Sequence, residues 1–353
     1  MSERIPAIVL GGTGYVAGEL VRLLAGHPRL ELLAVASDSQ PGEPVGVAFP
    51  HLAAAVGDLA FCSQDEAAAL AAGLPRSAVL AAAPHGVSAA LIDTLLTRAE
   101  EAGARPTVVD ISADYRFADT DAYARVYRHP HGAPARQAQF TCGVPEHLGQ
   151  VATPHVAHPG CFSTATLLAT VPLLALGLIE PQVFVSAVTG STGSGRKPTA
   201  GTHHPQRHGD MYSYSGLAHR HAPEIAALAR AATGVAADVA FIPHSGPFAR
   251  GIHATVQATL CKPMTTADVV AQLRQFYAGS RFVRVLDAPP RVKDVATSNY
   301  AHLSAVADGR TVAVMSVVDN LVKGAAGGGV QWMNRLLGFD EATGLLAPAP
   351  GWT

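Results

Sequence analysis

In the first half of the chain, unbroken apolar runs alternate with amphipathic stretches. Ile5 to Leu10 is continuously apolar, Gly14 to Ala25 has helical spacing, and Leu30 to Ala36 is a second apolar run. A short helix over Ala67 to Ala72, a strand over Ala78 to Ala83, a helix over Val87 to Ala102 and a strand over Thr107 to Ile111 follow. Strands without polar alternation, separated by helices, predict a parallel, doubly wound sheet of Rossmann type. From Asp114 to Pro154 the sequence is rich in Tyr, His, Pro and Arg and reads as irregular.

The second half changes period. Pro181 to Thr189, Val239 to Ile242, Gly251 to Leu260 and Thr311 to Val318 read as strands, several with alternation, and Ala222 to Ala232 and Thr266 to Tyr277 read as helices. Fewer crossover helices per strand predict an α+β domain with a mixed sheet. Between them Gly190 to Gly216 is a long Gly, Ser, Thr and His segment, a length that usually signals function. Asn320 to Leu337 reads as a last helix. The predicted organisation is therefore a dinucleotide-binding domain over 1–160, completed by 320–353, and an α+β catalytic domain over 161–319.

A length of 353 residues suits two domains. A net charge of -2 with 15% charged residues leaves no basic footprint for nucleic acid. The apolar stretch Ala165 to Leu176 is too short to cross a bilayer, and no targeting segment is recognisable, so a cytoplasmic enzyme is expected. Cys62, Cys142, Cys161 and Cys261 lie far apart without a CxxC pair, which argues against a zinc ribbon or a disulfide framework. His203, His204 and His208 cluster, but without an HExxH spacing or a cysteine partner no metal is expected.

Two stretches carry chemistry. Gly11-Gly12-Thr13-Gly14-Tyr15-Val16-Ala17 follows a strand and opens a helix, the setting in which G-x-G-x-x-A binds a dinucleotide. Glycines let backbone N–H groups at the helix start approach a pyrophosphate. Gly11, Thr13, Gly14, Tyr15 and Val16 are the candidate cofactor residues there. The second strand ends in Ser37-Asp38-Ser39-Gln40: Ser37 suits a 2′-phosphate and hence NADP, whereas Asp38 suits the ribose of NAD. The second stretch is His158-Pro159-Gly160-Cys161-Phe162-Ser163-Thr164, which places Cys161 between a turn and an apolar helix. A helix N-terminus favours a thiolate, and a nucleophilic thiol beside a dinucleotide site suits acyl–aldehyde interconversion through a thioester. A small buried hydrophobe is the alternative role for such a cysteine.

The ordered motifs GGTGYVAGEL, Pro84-His85-Gly86, DISADYRF at Asp110 to Phe117, HPGCFSTA, TGSTGSGRKP at Thr189 to Pro198 and AHRHAPEI at Ala218 to Ile225 extend along the chain. ARGI at Ala249 to Ile252, SNYAH at Ser298 to His302 and DNLVKGAAGG at Asp319 to Gly328 continue them. In these the chain resembles the N-acetyl-gamma-glutamyl-phosphate reductase family of arginine biosynthesis, and is similar to the aminoadipyl-phosphate reductases of lysine biosynthesis. The resemblance implies NADPH-dependent reduction of an N-acyl-gamma-glutamyl phosphate to the semialdehyde, with Cys161 as nucleophile and His219 as acid/base partner. It also implies that Pro84, Gly193 and Asn320 reach the cofactor, and that Ser191, Ser194, Arg220, His221 and Arg250 reach the substrate. A homo-oligomer, dimer or tetramer, is expected on the same ground.

Within that reading His221 rivals His219, Arg196 and Lys197 suit the leaving phosphate, and Thr202-His203-His204-Pro205 looks more like the lysine-type enzymes. A carrier-borne aminoadipyl substrate would need a basic groove, for which Arg128, Arg136, Arg207 and Arg220 are the available cations. A nucleotide-sensing Rossmann regulator is a reading of another class. The chain has no YxxxK dyad of the short-chain dehydrogenase kind.

Overall fold

The computed structural model describes residues 4–351, which form two compact units. The first comprises residues up to 142, 150–158 and 326–346. The second comprises 143–149, 159–325 and the residues after 346.

In the first unit seven strands are all parallel: β1 (Ile5–Leu10), β2 (Leu30–Ala36), β3 (Phe61–Cys62), β4 (Arg76–Ala81), β5 (Arg105–Asp110), β6 (Phe140–Cys142) and β7 (His155–Ala157). Their order is β3-β2-β1-β4-β5-β7-β6, so the chain reverses direction across the sheet between β1 and β4. In α/β sheets, ligands bind at the carboxyl ends of strands at such a reversal. Ile8, Val9, Val79, Leu80, Val108 and Val109 are fully buried, as runs apolar on both faces require. The helix Gln64–Ala72 begins earlier than its alanine run suggests, because Ser63 and Glu66 form a reciprocal capping box.

The segment read as irregular contains the helix Thr120–Tyr127, capped by the Asp119 side chain, as well as β6 and β7. These strands are only three residues long, too short to show a period. The helix Gly327–Leu336 also belongs to this unit. Gly329 lies so close to Ile111 that a Cβ would stand 2.7 Å from its Cδ1. His27 fastens the following segment, with Nε2 at 3.1 Å from both Asn334 Oδ1 and the Thr343 carbonyl.

The second unit holds β8 (Ile179–Thr189), β9 (Tyr212–Ser213), β10 (Asp238–Ser245), β11 (Ile252–Leu260), β12 (Val283–Val285), β13 (Ala301–Asp308) and β14 (Thr311–Val318). They form one mixed sheet ordered β12-β13-β14-β11-β8-β10-β9. β13, absent from the sequence reading, pairs antiparallel with β14 along its whole length. The helix Cys161–Ala175 is buried from Phe162 to Leu174 and covers one face of this sheet. On the other face Phe184, Ile242 and Val306 are exposed. Among the described residues, no helix is long and apolar enough to cross a membrane.

The expected helix over Asn320 to Leu337 is not continuous. Val322–Ala326 forms a π-helical turn, and the α-helix starts at Gly327. Lys323 in that turn is fully buried, with Nζ 2.5 Å from Glu146 Oε1, itself 2% exposed. Beside it His147 is held neutral: burial lowers its pKa to about 4. The Tyr277 hydroxyl donates to the Leu168 carbonyl at 2.7 Å, so His147 Nε2–H donates to Tyr277 Oη at 2.9 Å. Removing one partner of a buried ion pair strands the other charge, so Glu146→Ala should lower unfolding stability by about 3–5 kcal/mol. Urea denaturation checks this, and a loss below about 1 kcal/mol would show that Lys323 finds other compensation.

Candidate active site

Gly160 precedes the helix Cys161–Ala175 in an extended conformation (φ -61°, ψ 157°), and its N–H donates to the buried Glu224 Oε1 at 2.7 Å. This bond joins the start of the Cys161 helix to the helix His221–Thr233. Cys161 is partly exposed, and among the described residues the four cysteines form no disulfide. On its other side the π-helical turn comes so near that a Cβ on Gly324 would lie 2.8 Å from Cys161 Cβ. Only glycine allows that approach.

Cys161 opens onto a cavity of about 480 Å³ whose wall includes Gly193, Ser194, Tyr214, His219, Arg220 and His221. His219 sits among Phe162, Tyr214 and His221, with ring centroids at 6.0, 5.6 and 4.7 Å. Burial, and then the Arg220 charge, lower its pKa to about 4, so its imidazole is neutral at pH 7. Its Nδ1 accepts the His221 N–H at 3.2 Å. The neutral ring therefore carries its proton on Nε2 and offers a donor.

The structure distributes the other sequence candidates unevenly. Ser191 lies in the same turn as Ser194 and is held through its N–H to the Phe248 carbonyl at 2.9 Å. Asn320 is 2% exposed; its Oδ1 accepts the Gly251 N–H at 2.7 Å and its Nδ2 donates to Thr192 Oγ1 at 3.0 Å. Asn320 thus braces the turn that carries Gly193. Arg250 does not line the Cys161 cavity. Its Nε and Nη2 bind the two oxygens of buried Asp319 at 3.0 and 3.1 Å, and it borders a separate cavity of about 460 Å³. A buried carboxylate demands such pairing. Arg196 and Lys197 are exposed.

In the first unit, Gly11 (φ +80°) passes so close to the β4 turn that a Cβ would lie 2.5 Å from the Ala83 backbone, next to Pro84. Gly14 faces open space, and the helix Tyr15–Ala25, which contains Val16, has no side-chain cap at its start. Thr13 lies in the turn between Gly11 and Gly14. An uncapped helix start opposite a bare glycine is a cradle that fits a pyrophosphate. Ser37 Oγ lies 3.0 Å from Ser39 Oγ, and the Asp38 carboxylate accepts the Gln64 N–H at 2.8 Å.

Comparison with known proteins agrees with this geometry. The family model described as semialdehyde dehydrogenase, NAD binding domain, matches residues 6–153, and the semialdehyde dehydrogenase dimerisation domain matches 161–320. N-acetyl-gamma-glutamyl-phosphate reductase of Ectopseudomonas mendocina is 39% identical over 96% of each chain, and that of Symbiobacterium thermophilum is 38% identical over 97% of each. The chain belongs to the N-acetyl-gamma-glutamyl-phosphate reductase family. Among solved structures, aspartate semialdehyde dehydrogenase II of Vibrio cholerae complexed with ASA has a TM-score of 0.69 at 15% identity, covering 95% of this chain and 98% of that one. The Candida albicans aspartate semialdehyde dehydrogenase with NADP has a TM-score of 0.63 at 17% identity, covering 96% and 99%. These two share the fold.

Membership of a reductase family across nearly the whole chain removes the basis for a nucleotide-sensing regulator. Two of the four cations considered for a carrier groove are engaged or buried within the chain. Arg136 is spent on Asp93 at 2.8 Å and on Glu100, and Arg207 is buried. Sequence reasoning missed Tyr214 and Glu224. Tyr214 sits in a Gly/Ser-rich segment with no period, and Glu224 reads as an ordinary first-turn carboxylate of a helix. A nuclear magnetic resonance titration compared with His219→Gln should assign a histidine midpoint near pH 4 to His219. An ordinary midpoint near pH 6.5 would show that His219 is solvated and free to act as a base.

Proposed function

We propose that this protein reduces N-acetyl-gamma-glutamyl phosphate to the semialdehyde in arginine biosynthesis, with NADPH and with release of phosphate. One observation carries the reading: a cysteine at a helix start shares a cavity with a neutral histidine, in a chain that matches N-acetyl-gamma-glutamyl-phosphate reductases along its length. The matched relatives are glutamyl-type enzymes, so the aminoadipyl substrate is not favoured.

The Cys161 thiolate attacks the acyl carbon, the bond to the phosphate oxygen breaks, and a thioester forms. The departing phosphate takes its proton from solvent. A nicotinamide cofactor, when held at the glycine turn by Gly11, Thr13 and Gly14, would supply the hydride that reduces the thioester carbon. His219, as an Nε2–H donor, stabilises the oxyanion that develops on the acyl oxygen. That oxyanion then re-forms the carbonyl and the carbon–sulfur bond breaks, releasing the aldehyde and restoring the Cys161 thiolate. Arg220 supplies a positive charge to the same cavity for the anionic substrate. In this scheme the histidine never exchanges its proton, which suits an imidazole whose pKa lies far below neutrality.

Gly11, Thr13, Gly14, Tyr15 and Val16 hold the pyrophosphate. The partner of Asp38 supports a preference for NADP. With one carboxylate oxygen bound to the start of the helix Gln64–Ala72, Asp38 is held beside the mutually hydrogen-bonded hydroxyls of Ser37 and Ser39, of which the Ser39 hydroxyl would receive a 2′-phosphate. The test is phosphate-dependent oxidation of N-acetylglutamate semialdehyde and N-acetylaminoadipate semialdehyde, each with NADP and with NAD. The glutamyl substrate with NADP should win, and Cys161→Ala should abolish turnover. Preference for the longer substrate, or turnover surviving in the variant, would overturn the reading.

The chain also pairs with a second copy through the open face of the mixed sheet. Val306, Ala313, Gln257, Phe184 and Ala240 are cross-strand neighbours in one uncharged row, and the matching family model is described as a dimerisation domain. Phe184→Glu with Val306→Glu should convert a dimer or larger assembly to monomer in light scattering. An unchanged mass would place the contact elsewhere.

A further inference from the structure

The thiolate is both nucleophile and leaving group in the scheme above, so whatever stabilises it serves both half-reactions. Tyr214 is placed to do this. It lines the cavity onto which Cys161 opens, and its ring packs against His219 at 5.6 Å and 73°.

The backbone holds it there under strain. Ser215 (φ +46°) and Leu217 (φ +59°) both occupy the left-handed region without being glycine. The turn is pinned on either side, by Tyr214 N–H to the Pro243 carbonyl at 3.1 Å and Leu217 N–H to the Phe241 carbonyl at 2.9 Å. Such strain persists where the surrounding structure fixes it, and often at functional sites. Here it sets Tyr214 at one end of the turn and His219 just beyond the other, both facing the cavity.

We propose that Tyr214 is a further catalytic residue, whose hydroxyl donates a hydrogen bond to the Cys161 sulfur when the thiol ionises. Burial and the Cys161 charge both push the phenol above its ordinary range, so it stays protonated wherever the thiolate exists. The other titratable groups facing the sulfur are His219, neutral at pH 7, with His221 and Arg220 in the cavity wall, and Glu224 behind Gly160. Neither Nδ1 of His219, bound to the His221 N–H, nor its protonated Nε2 can accept the thiol proton. The inference rests on Cys161 being the nucleophile but not on which acyl phosphate is turned over.

The experiment is alkylation of the full-length protein by iodoacetamide from acid to alkaline pH, with modification of Cys161 followed by mass spectrometry. Tyr214→Phe should raise the thiol midpoint by about one pH unit and slow alkylation about tenfold on the acid side of the profile. His219→Gln should leave the midpoint nearly in place. Thiolate ultraviolet absorbance, taken as the difference from Cys161→Ser, gives the same midpoint without a reagent, and thermal melting confirms that each variant is folded. Superimposable wild-type and Tyr214→Phe profiles would overturn the proposal, as would a shift produced equally by His219→Gln. Because no substrate is present, failure of the semialdehyde assay would leave this result standing, and the reverse also holds.

Discussion

The buried carboxylate of Asp319 organises the catalytic half of this protein. A charge with no exposure must be fully compensated, and here five donors converge on it: two from Arg250 and the N–H groups of Thr297, Leu321 and Val322. Satisfying it ties β11, β14 and the start of the π-helical turn to one point. Asn320, the next residue, fixes the Gly251 backbone and Thr192, and so braces the turn bearing Gly193 and Ser194. The Gly324 N–H returns to the Asp319 carbonyl at 2.9 Å, and Gly324 is the residue pressed against Cys161. The place of the nucleophile is therefore fixed by an electrostatic demand several residues away.

The chemistry inherits its character from desolvation. His219 is neutral because its surroundings are aromatic and because Arg220 adds a repelling charge. Its tautomer is fixed by one backbone N–H. A site furnished with neutral donors stabilises anions as they form, on sulfur or on oxygen, without exchanging protons at each step. The donor role proposed for His219 differs from the acid/base role that family resemblance suggests, and it turns on a single hydrogen bond that no sequence pattern encodes.

The strongest periodicities were legible in the chain. The apolar runs of β1, β2 and β4 and the helix after the glycine turn stand where their patterns place them, and the parallel-plus-mixed architecture follows from the change of period near the middle. Cys161 was legible because proline, glycine and an apolar helix punctuate its surroundings. What was hidden is non-local. β13 is recognisable through its pairing with β14, and β6 and β7 are too short to carry a period. The helix Thr120–Tyr127 was masked by its aromatic and charged composition. The pairing of Arg250 with Asp319, sixty-nine positions away, is equally non-local. Tyr214 gave no signal, since its importance comes from a strained turn and a neighbouring cavity.

The interleaving of the two units bears on how the protein is made. The first sheet is synthesised early, but the helix that packs Gly329 against Ile111, and the Asn334 and Thr343 groups that hold His27, come from the far end of the chain. On the ribosome, β1 to β5 emerge with one flank uncovered and stay so until residues 326–346 have been made. The intervening segment also has to fold before the end can return. A cut between residues 158 and 326 therefore parts the first unit from its own last helix. Synthesis of residues 326–346, rather than completion of the glycine turn, is what allows the nucleotide-binding sheet to close.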